Sequence, residues 1–285
     1  MTPLRSVSRR RVAWRALLVL GVLAVSAIGA AVATRQERTA GPDSVTTPAP
    51  PIRWGQGLDV PFVVGESLVY SLKFGFLRVG SASMFVKGPA TVRGQATILT
   101  LFRITGGTLM FKVNDLMQSW IEPEKFASLR FHQEISEGSY RANRRYEFFP
   151  DRKVYTENDN PEKPSVELPL DDGSFLYFVR TQALEVGKEY TYDRYFDPEA
   201  NPVRLRVLRK ERIDVPAGQF NTIVVQPLIK TSGIFSEGGS ALLWLTDDSR
   251  RMIVQLNSKL SFGSLNLFLL RYRLAEGGTW LGEEP

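Results

Sequence analysis

The chain reads as an all-β domain, mainly antiparallel, with one covering α-helix. Three observations point there. Many runs alternate apolar and polar residues at period two, turn-forming Gly, Pro, Asn and Asp separate them at short spacing, and a single stretch sets apolar residues at helical spacing behind a capping cluster. Connections this short leave no room for parallel crossovers, so neighbouring runs should pair antiparallel.

Residues 1–33 hold five arginines and no acid, and residues 16–33 form a run without charge that ends Ala31-Val32-Ala33. A basic start, an apolar middle and small residues at the end mark a secretory signal. The run is also long enough to span a bilayer as a transmembrane helix with its arginines on the cytoplasmic side. Residues 1–33 are expected to be a signal peptide or an inner-membrane anchor. The body is then exported, in the periplasm or anchored facing it. Residues 34–58 mix Thr, Pro, Gly and charge without period and read as a flexible linker. Residues 59–275 should form one β-rich domain, and 276–285 a tail.

In the body, Leu68, Tyr70, Leu72 and Phe74 alternate with smaller or polar neighbours. Ala82, Met84 and Val86 repeat the pattern after Gly80, and Gly88-Pro89 is expected to break it. Residues 96–104 form a long strand before a Gly106-Gly107 turn. Residues 110–113 and 118–121 are expected to be separate strands around an Asn114-Asp115 turn. Along 129–135, Leu129, Phe131, Gln133 and Ile135 share one face, and Arg130, His132 and Glu134 the other. Residues 140–149 and 153–156 continue the meander past Pro150-Asp151. Asp171-Asp172-Gly173-Ser174 then offers capping side chains, with Leu176, Val179 and Ala183 behind it, predicting a helix of about ten to thirteen residues. Strands follow over 189–196, 203–215, 219–229, 240–245, 252–260 and 264–273. Such a sheet must curl or fold over to bury one face, as a sandwich, a barrel or a half-barrel.

A net charge of +6 and a pI near 9.5 suggest an anionic partner, but without residues 1–33 the chain has 31 basic and 30 acidic residues. The basicity belongs to the export segment. The absence of cysteine excludes disulfides, thiolate metal sites, a cysteine nucleophile and a lipoprotein anchor. His132 is the single histidine, on the polar face of its strand, and no G-x-S-x-G elbow supplies a nucleophile for it. Glu122 and Glu124 flank Pro123 as in an exposed turn. Gly106-Gly107 and Gly238-Gly239 lie between strands and are hairpin turns, not phosphate loops. Arg141, Arg144, Arg145 and Arg152, and Arg204, Arg206, Arg209, Lys210 and Arg212, alternate with core residues as polar faces. No nucleic-acid partner, metal or cofactor is expected.

Several short patterns occur in order: Gly65-Glu66-x-Leu68-x-Tyr70, Gly80-x-Ala82, Asp115 before Ser119-Trp120-Ile121, Leu129-Arg130-Phe131, Tyr177-x-x-Arg180, Val215-Pro216-Ala217-Gly218-x-Phe220 and Trp244-Leu245-x-Asp247-Asp248-x-Arg250-Arg251. Together they resemble the bacterial envelope family DUF3108, a domain of unknown function, over about residues 60–273. The resemblance implies an exported, mostly antiparallel β domain and carries no catalytic residues to transfer. Such single-sheet domains with a covering helix are similar in architecture to periplasmic lipoprotein-carrier half-barrels, whose concave apolar face holds acyl chains.

Seventeen phenylalanines, with Ile234-Phe235 and Leu267-Phe268-Leu269-Leu270, are more apolar surface than a thin sheet and one helix cover. The expected function is non-catalytic binding of an apolar or amphipathic ligand, a lipid or lipoprotein-like molecule, or of an envelope protein. The alternative is an assembly factor acting through an open sheet edge, and third an envelope hydrolase, which requires convergent carboxylates in a cleft. Tyr177 and Arg180 on the helix, and Trp244, Asp248 and Arg251 on the late hairpin, are the candidate ligand-binding residues.

Overall fold

The computed structural model describes residues 52–54, 58–107, 111–229, 241–260 and 263–283. The proposed export segment, Gly238-Gly239 and Ile234-Phe235 lie outside them. Two short strands, β1 (Ile52–Trp54) inside the stretch expected to be linker and β2 (Leu58–Val60) across its end, pair as a hairpin. Eight strands then follow one another as an antiparallel meander: β3 (Ser67–Phe74), β4 (Leu77–Val92), β5 (Gln95–Gly107), β6 (Lys112–Glu122), β7 (Ala127–Glu137), β8 (Tyr140–Phe149), β9 (Val154–Glu157) and β10 (Lys163–Pro164). Helix α1 (Asp172–Arg180) interrupts. A second meander returns through β11 (Glu189–Tyr192), β12 (Val203–Val215), β13 (Gly218–Leu228), β14 (Leu242–Thr246), β15 (Ile253–Leu260) and β16 (Gly263–Arg273), and β16 pairs with β3. In the expected tail, β17 (Leu281–Gly282) adds a short pair to β16.

The ladder is open, because β10 and β11 at its two edges do not pair with each other. The chain just beyond them spans the gap. Leu170 and Tyr195 form an isolated parallel bridge, the Leu170 N–H donates to the Arg194 carbonyl (2.6 Å), and the Phe196 N–H donates to the Leu170 carbonyl (3.0 Å). Phe196 then packs its ring 5.4, 5.5 and 5.1 Å from those of Tyr146, Phe148 and Tyr155 on the far side of the sheet. The open sheet is thereby curled into a barrel-like body, not folded into a sandwich. Bulges help it bend, among them the shift at Val86/Gly88, where β4 runs straight through Gly88-Pro89 instead of breaking.

Period-two alternation decides what lies inside. Leu68, Tyr70 and Leu72 of β3 register with Met84, Ala82 and Gly80 of β4, and these with Phe102, Ile104 and Gly106 of β5. Leu205 and Val207 do the same against Pro227 and Val225. Each fully buried Leu, Ile or Phe on this face contributes about 1.5–3 kcal/mol. Two expectations fail here. Asn114-Asp115 is no turn: β6 runs unbroken through it, because Asp115 faces inward in register with Ile104 and its carboxylate accepts the Ser136 N–H at 2.8 Å. Gly106 and Gly107 likewise remain in the ladder opposite Val113 and Lys112.

Candidate ligand-binding site

Strand direction gives the body two ends. One carries the β6–β7 and β14–β15 turns and the lead-in to β3; the other carries the β3–β4, β5–β6 and β7–β8 turns.

Helix α1 plugs the first end, with residues 173–180 all buried. It begins where it does because Asp171 caps it. The Asp171 carboxylate accepts the N–H groups of Gly173 (2.8 Å) and Ser174 (2.9 Å), and the Ser174 hydroxyl in turn accepts the Asp171 N–H. The same carboxylate accepts the hydroxyls of Ser119 on β6 (2.6 Å) and Ser128 on β7 (2.7 Å), which fixes the cap to the sheet. Burial pushes the Asp171 carboxyl up to about 6 against the pull of these donors. A Cβ on Gly173 would lie 2.5 Å from the Ser119 hydroxyl oxygen, so only glycine lets the first turn approach β6 this closely. At the other end of α1, Arg180 is paired with Glu66 and Tyr177 packs edge-on against Phe62 at 5.0 Å. The Tyr177 hydroxyl is buried without a hydrogen-bond partner among the described residues.

The second end is different. Interior-facing Leu68, Val86, Ile121 and Phe131, near the plug, are fully buried. Farther from the plug, Phe74 on β3, Ile104 on β5, Met117 on β6, Ile135 on β7 and Leu265 on β16 are only half-buried, whereas Val113 on β6 is buried. Beside this apolar wall runs a polar strip on β6, β7 and β8. Asp115 (8% exposed) is hydrogen-bonded to Glu137, whose carboxyl is pushed up to about 7 by burial and by the Asp115 charge; burial also raises Asp115. Near neutral pH the two hold a proton between them. Gln133 and Arg144 face each other in register, with the guanidinium 3.5 Å from the Gln133 amide oxygen and 3.3 Å from the Tyr140 hydroxyl. Deeper, Asp172 accepts the Tyr195 hydroxyl at 2.7 Å, and its carboxyl is raised by burial although Tyr195 and the Arg144 charge pull it down. An apolar wall facing a strip of hydrogen-bonding groups can seat an amphipathic molecule. Among the described residues no group of three or more His, Asp or Glu side chains is placed to hold a metal.

Four of the residues singled out from sequence gather at the plugged end. Arg180 donates to the Arg250 carbonyl at 3.0 Å, and so touches the β14–β15 turn. Asp248 pins that turn by accepting the Thr246 hydroxyl (2.6 Å) and the N–H groups of Arg250 (2.9 Å) and Arg251 (3.1 Å). Arg251 takes a left-handed φ of 49°, with its guanidinium 3.7 Å from Asp247. Tyr177 lies beside Arg180 in the plug. Trp244 is apart, on the outer face, donating its indole N–H to Glu211 at 2.6 Å. His132 also lies outside, against the Trp120 ring at 4.9 Å.

The open end holds residues whose place there the sequence does not announce. Asp115 was hidden by its place in a turn-like Asn-Asp pair. Arg144, expected on a polar outer face, shares the inner face with Tyr146, because Gln133–Arg144 and Phe131–Tyr146 are successive inward pairs. Inward parity with Gln133 was the available signal.

Over residues 69–270 the chain matches the family described as protein of unknown function (DUF3108). It belongs to that family. No curated protein matches it. Among solved structures it is similar to a β-barrel-like protein of domain of unknown function DUF1849 from Brucella abortus, at 9% identity and a TM-score of 0.46, over 74% of this chain and 98% of that one. The DUF3108 match runs from β3 into β16, so it takes in both meanders, the plug helix and the polar strip of the open end. Glu66, the partner of Arg180, lies just before it.

Proposed function

We propose that this DUF3108 domain is a non-catalytic, exported envelope protein that holds an apolar or amphipathic ligand, such as a lipid or an acyl-bearing molecule, in the open end of its curled sheet. One observation carries the reading: away from the plug, Ile104, Met117 and Ile135 on the inner face are only half-buried, although Val113 beside them is covered, and they stand beside the Asp115–Glu137 and Gln133–Arg144 strip. The apolar wall takes the chain of the ligand and the strip its polar end. The basic, apolar and small-residue order of residues 1–33 supports export. Strand addition is less favoured. Edge strand β10 is two residues long and contains Pro164, and the chain after it is already bridged to the chain after β11.

Native mass spectrometry of the full chain purified from its own envelope tests the reading. A co-purified lipid-sized mass, lost on Met117→Arg, is expected. Absence of any bound mass, together with no displaceable binding of a fluorescent fatty acid, overturns it.

A hydrolase has one observation in its favour, since carboxyl pairs that share a proton activate water in some hydrolases. Direct hydrogen bonding puts Asp115 and Glu137 closer than the roughly 5 Å or more of glycosidase carboxyl pairs, leaving a water-activating dyad as the form to test. Turnover of ester, peptide or glycoside libraries that disappears in Glu137→Gln would replace the binding reading with this one.

A further inference from the structure

We propose that the rim of the open end docks on an anionic phospholipid bilayer, with the β3–β4 turn as the element that enters it.

Turn tips are ordinarily polar, because they face water and bury nothing. This one reads Phe74-Gly75-Phe76-Leu77. Phe76 is 89% exposed and Leu77 57%, the two most exposed large apolar side chains among the described residues. A Cβ built on Gly75 would meet nothing within 4 Å, so the space on that side of the tip is open. The turn is nonetheless held in place, since the Gly75 N–H donates to the Ser264 carbonyl at 3.0 Å. Phe76 and Leu77 on this fixed turn cover no core of their own. Their burial free energy is available only to something that comes to them.

Charge says what that is. Lys73 and Arg78 flank the tip as cross-strand partners. Neither is in an ion pair among the described residues, and the Lys73 ammonium rests only over the Phe268 ring, 5.0 Å from its centroid. The two following turns at this end add Lys112 and Arg141, the latter donating to the carbonyls of Gly138 and Tyr140 instead of to an acid. Tyr140, half exposed, stands beside it. These turns are joined, because the Gly138 N–H donates to the Lys112 carbonyl at 2.8 Å. Their one acid, Glu137, is bonded inward to Asp115. Among their described residues these three turns thus offer apolar tips, a tyrosine and four cations with no acid paired to them, which suits the headgroup and upper acyl region of an anionic bilayer. The plugged end lacks this chemistry: its turns mix Glu122, Glu124 and Lys125, and Asp247, Asp248 and Arg251. A bilayer at the rim would also stand directly at the mouth where the ligand is proposed to enter.

The chain has no cysteine, so Phe76→Cys gives a single site for an environment-sensitive fluorophore. The full chain carrying this label is mixed with vesicles of phosphatidylcholine, with and without phosphatidylglycerol. Docking predicts a blue shift and quenching by nitroxide-labelled lipid on the anionic vesicles, and no change for a label at Ser249→Cys on the opposite end. Adding Arg78→Glu and Lys112→Glu should raise the lipid concentration for the half-maximal shift by at least about tenfold. Neither change removes a buried contact, so melting is unaltered. A label at position 76 that stays aqueous on anionic vesicles, or that responds no more than the one at 249, overturns the proposal; so does a shift produced by a protein fraction and not by lipid. Rim docking and occupancy of the interior are separable, because bound lipid is read independently by mass.

Discussion

Arg180, the last residue of α1, and Glu66, which leads into β3, form a two-armed ion pair shut off from solvent. Nη1 meets Oε1 at 2.6 Å and Nη2 meets Oε2 at 2.9 Å. Burial works against the guanidinium charge, but Glu66 outweighs it, and the Arg180 pKa is raised. Nη2 also donates to the Arg250 carbonyl, and the guanidinium carbon lies 5.2 Å from the Phe62 ring centroid. One side chain therefore ties the plug helix, the lead-in to β3 and the β14–β15 turn together. Both meanders are held to the helix at a single point.

Removing one partner should leave the other charge buried alone. Arg180→Met is expected to lower stability by about 3–5 kcal/mol in chemical denaturation. Glu66→Leu with Arg180→Met, which removes both charges, should recover most of it. Equal losses in the single and double variants would mean that the side chains matter for packing and not for charge.

Much of this arrangement was legible in the chain. The alternation at Leu68, Tyr70 and Leu72 named an inner face, and Asp171 announced the helix, because both signals are local. The same local alternation sets Gln133 on the inner face, where it is buried. Asp115 is masked because Asn and Asp are both turn formers, and only the distant Ser136 N–H and Glu137 reveal it as an inward strand residue. Arg144 reads as an outer residue by its charge, although parity with Tyr146 sets it inside. Closure is not legible: the strand expected over 189–196 ends at Tyr192, and Leu170, Tyr195 and Phe196 lie in irregular segments, where no period predicts which strand lies opposite.

The cap should be worth more than a cap at a helix surface. Asp171→Ala deprives the N–H groups of Gly173 and Ser174 and the hydroxyls of Ser119 and Ser128 of one shared acceptor, all of them buried. A loss of at least about 2 kcal/mol is expected, against about 1 kcal/mol for Ser119→Ala. Hydrogen exchange should locate the weakening in α1 and the facing ends of β6 and β7.

The acid pair makes stability depend on pH. The Glu137 carboxyl is pushed up to about 7 in the folded protein, from an ordinary value near 4.5. The folded state therefore binds the proton more tightly than the unfolded chain. Its contribution is fully present below about pH 4.5 and is lost as pH rises through 7. Glu137→Gln, which keeps the neutral form's shape, should melt close to the parent at pH 5 and above it at pH 8. Parallel melting curves across this range would show that the pair does not share a proton.

The open end should tolerate change that the plugged end does not. Met117 and Ile135 are half-buried on the inner face, so long polar replacements can turn their heads to solvent. Met117→Arg or Ile135→Lys is expected to shift stability by less than about 1 kcal/mol while filling the mouth and reducing bound lipid. Phe131→Ala, deep on the same face and stacked on Tyr146 at 5.7 Å, should cost about 3–5 kcal/mol instead. Comparing the three by thermal melting and by native mass spectrometry separates a binding mouth from a core that is merely thin. In the first case lipid is lost without stability at Met117 and Ile135. In the second, stability falls at all three positions together and no bound mass is affected.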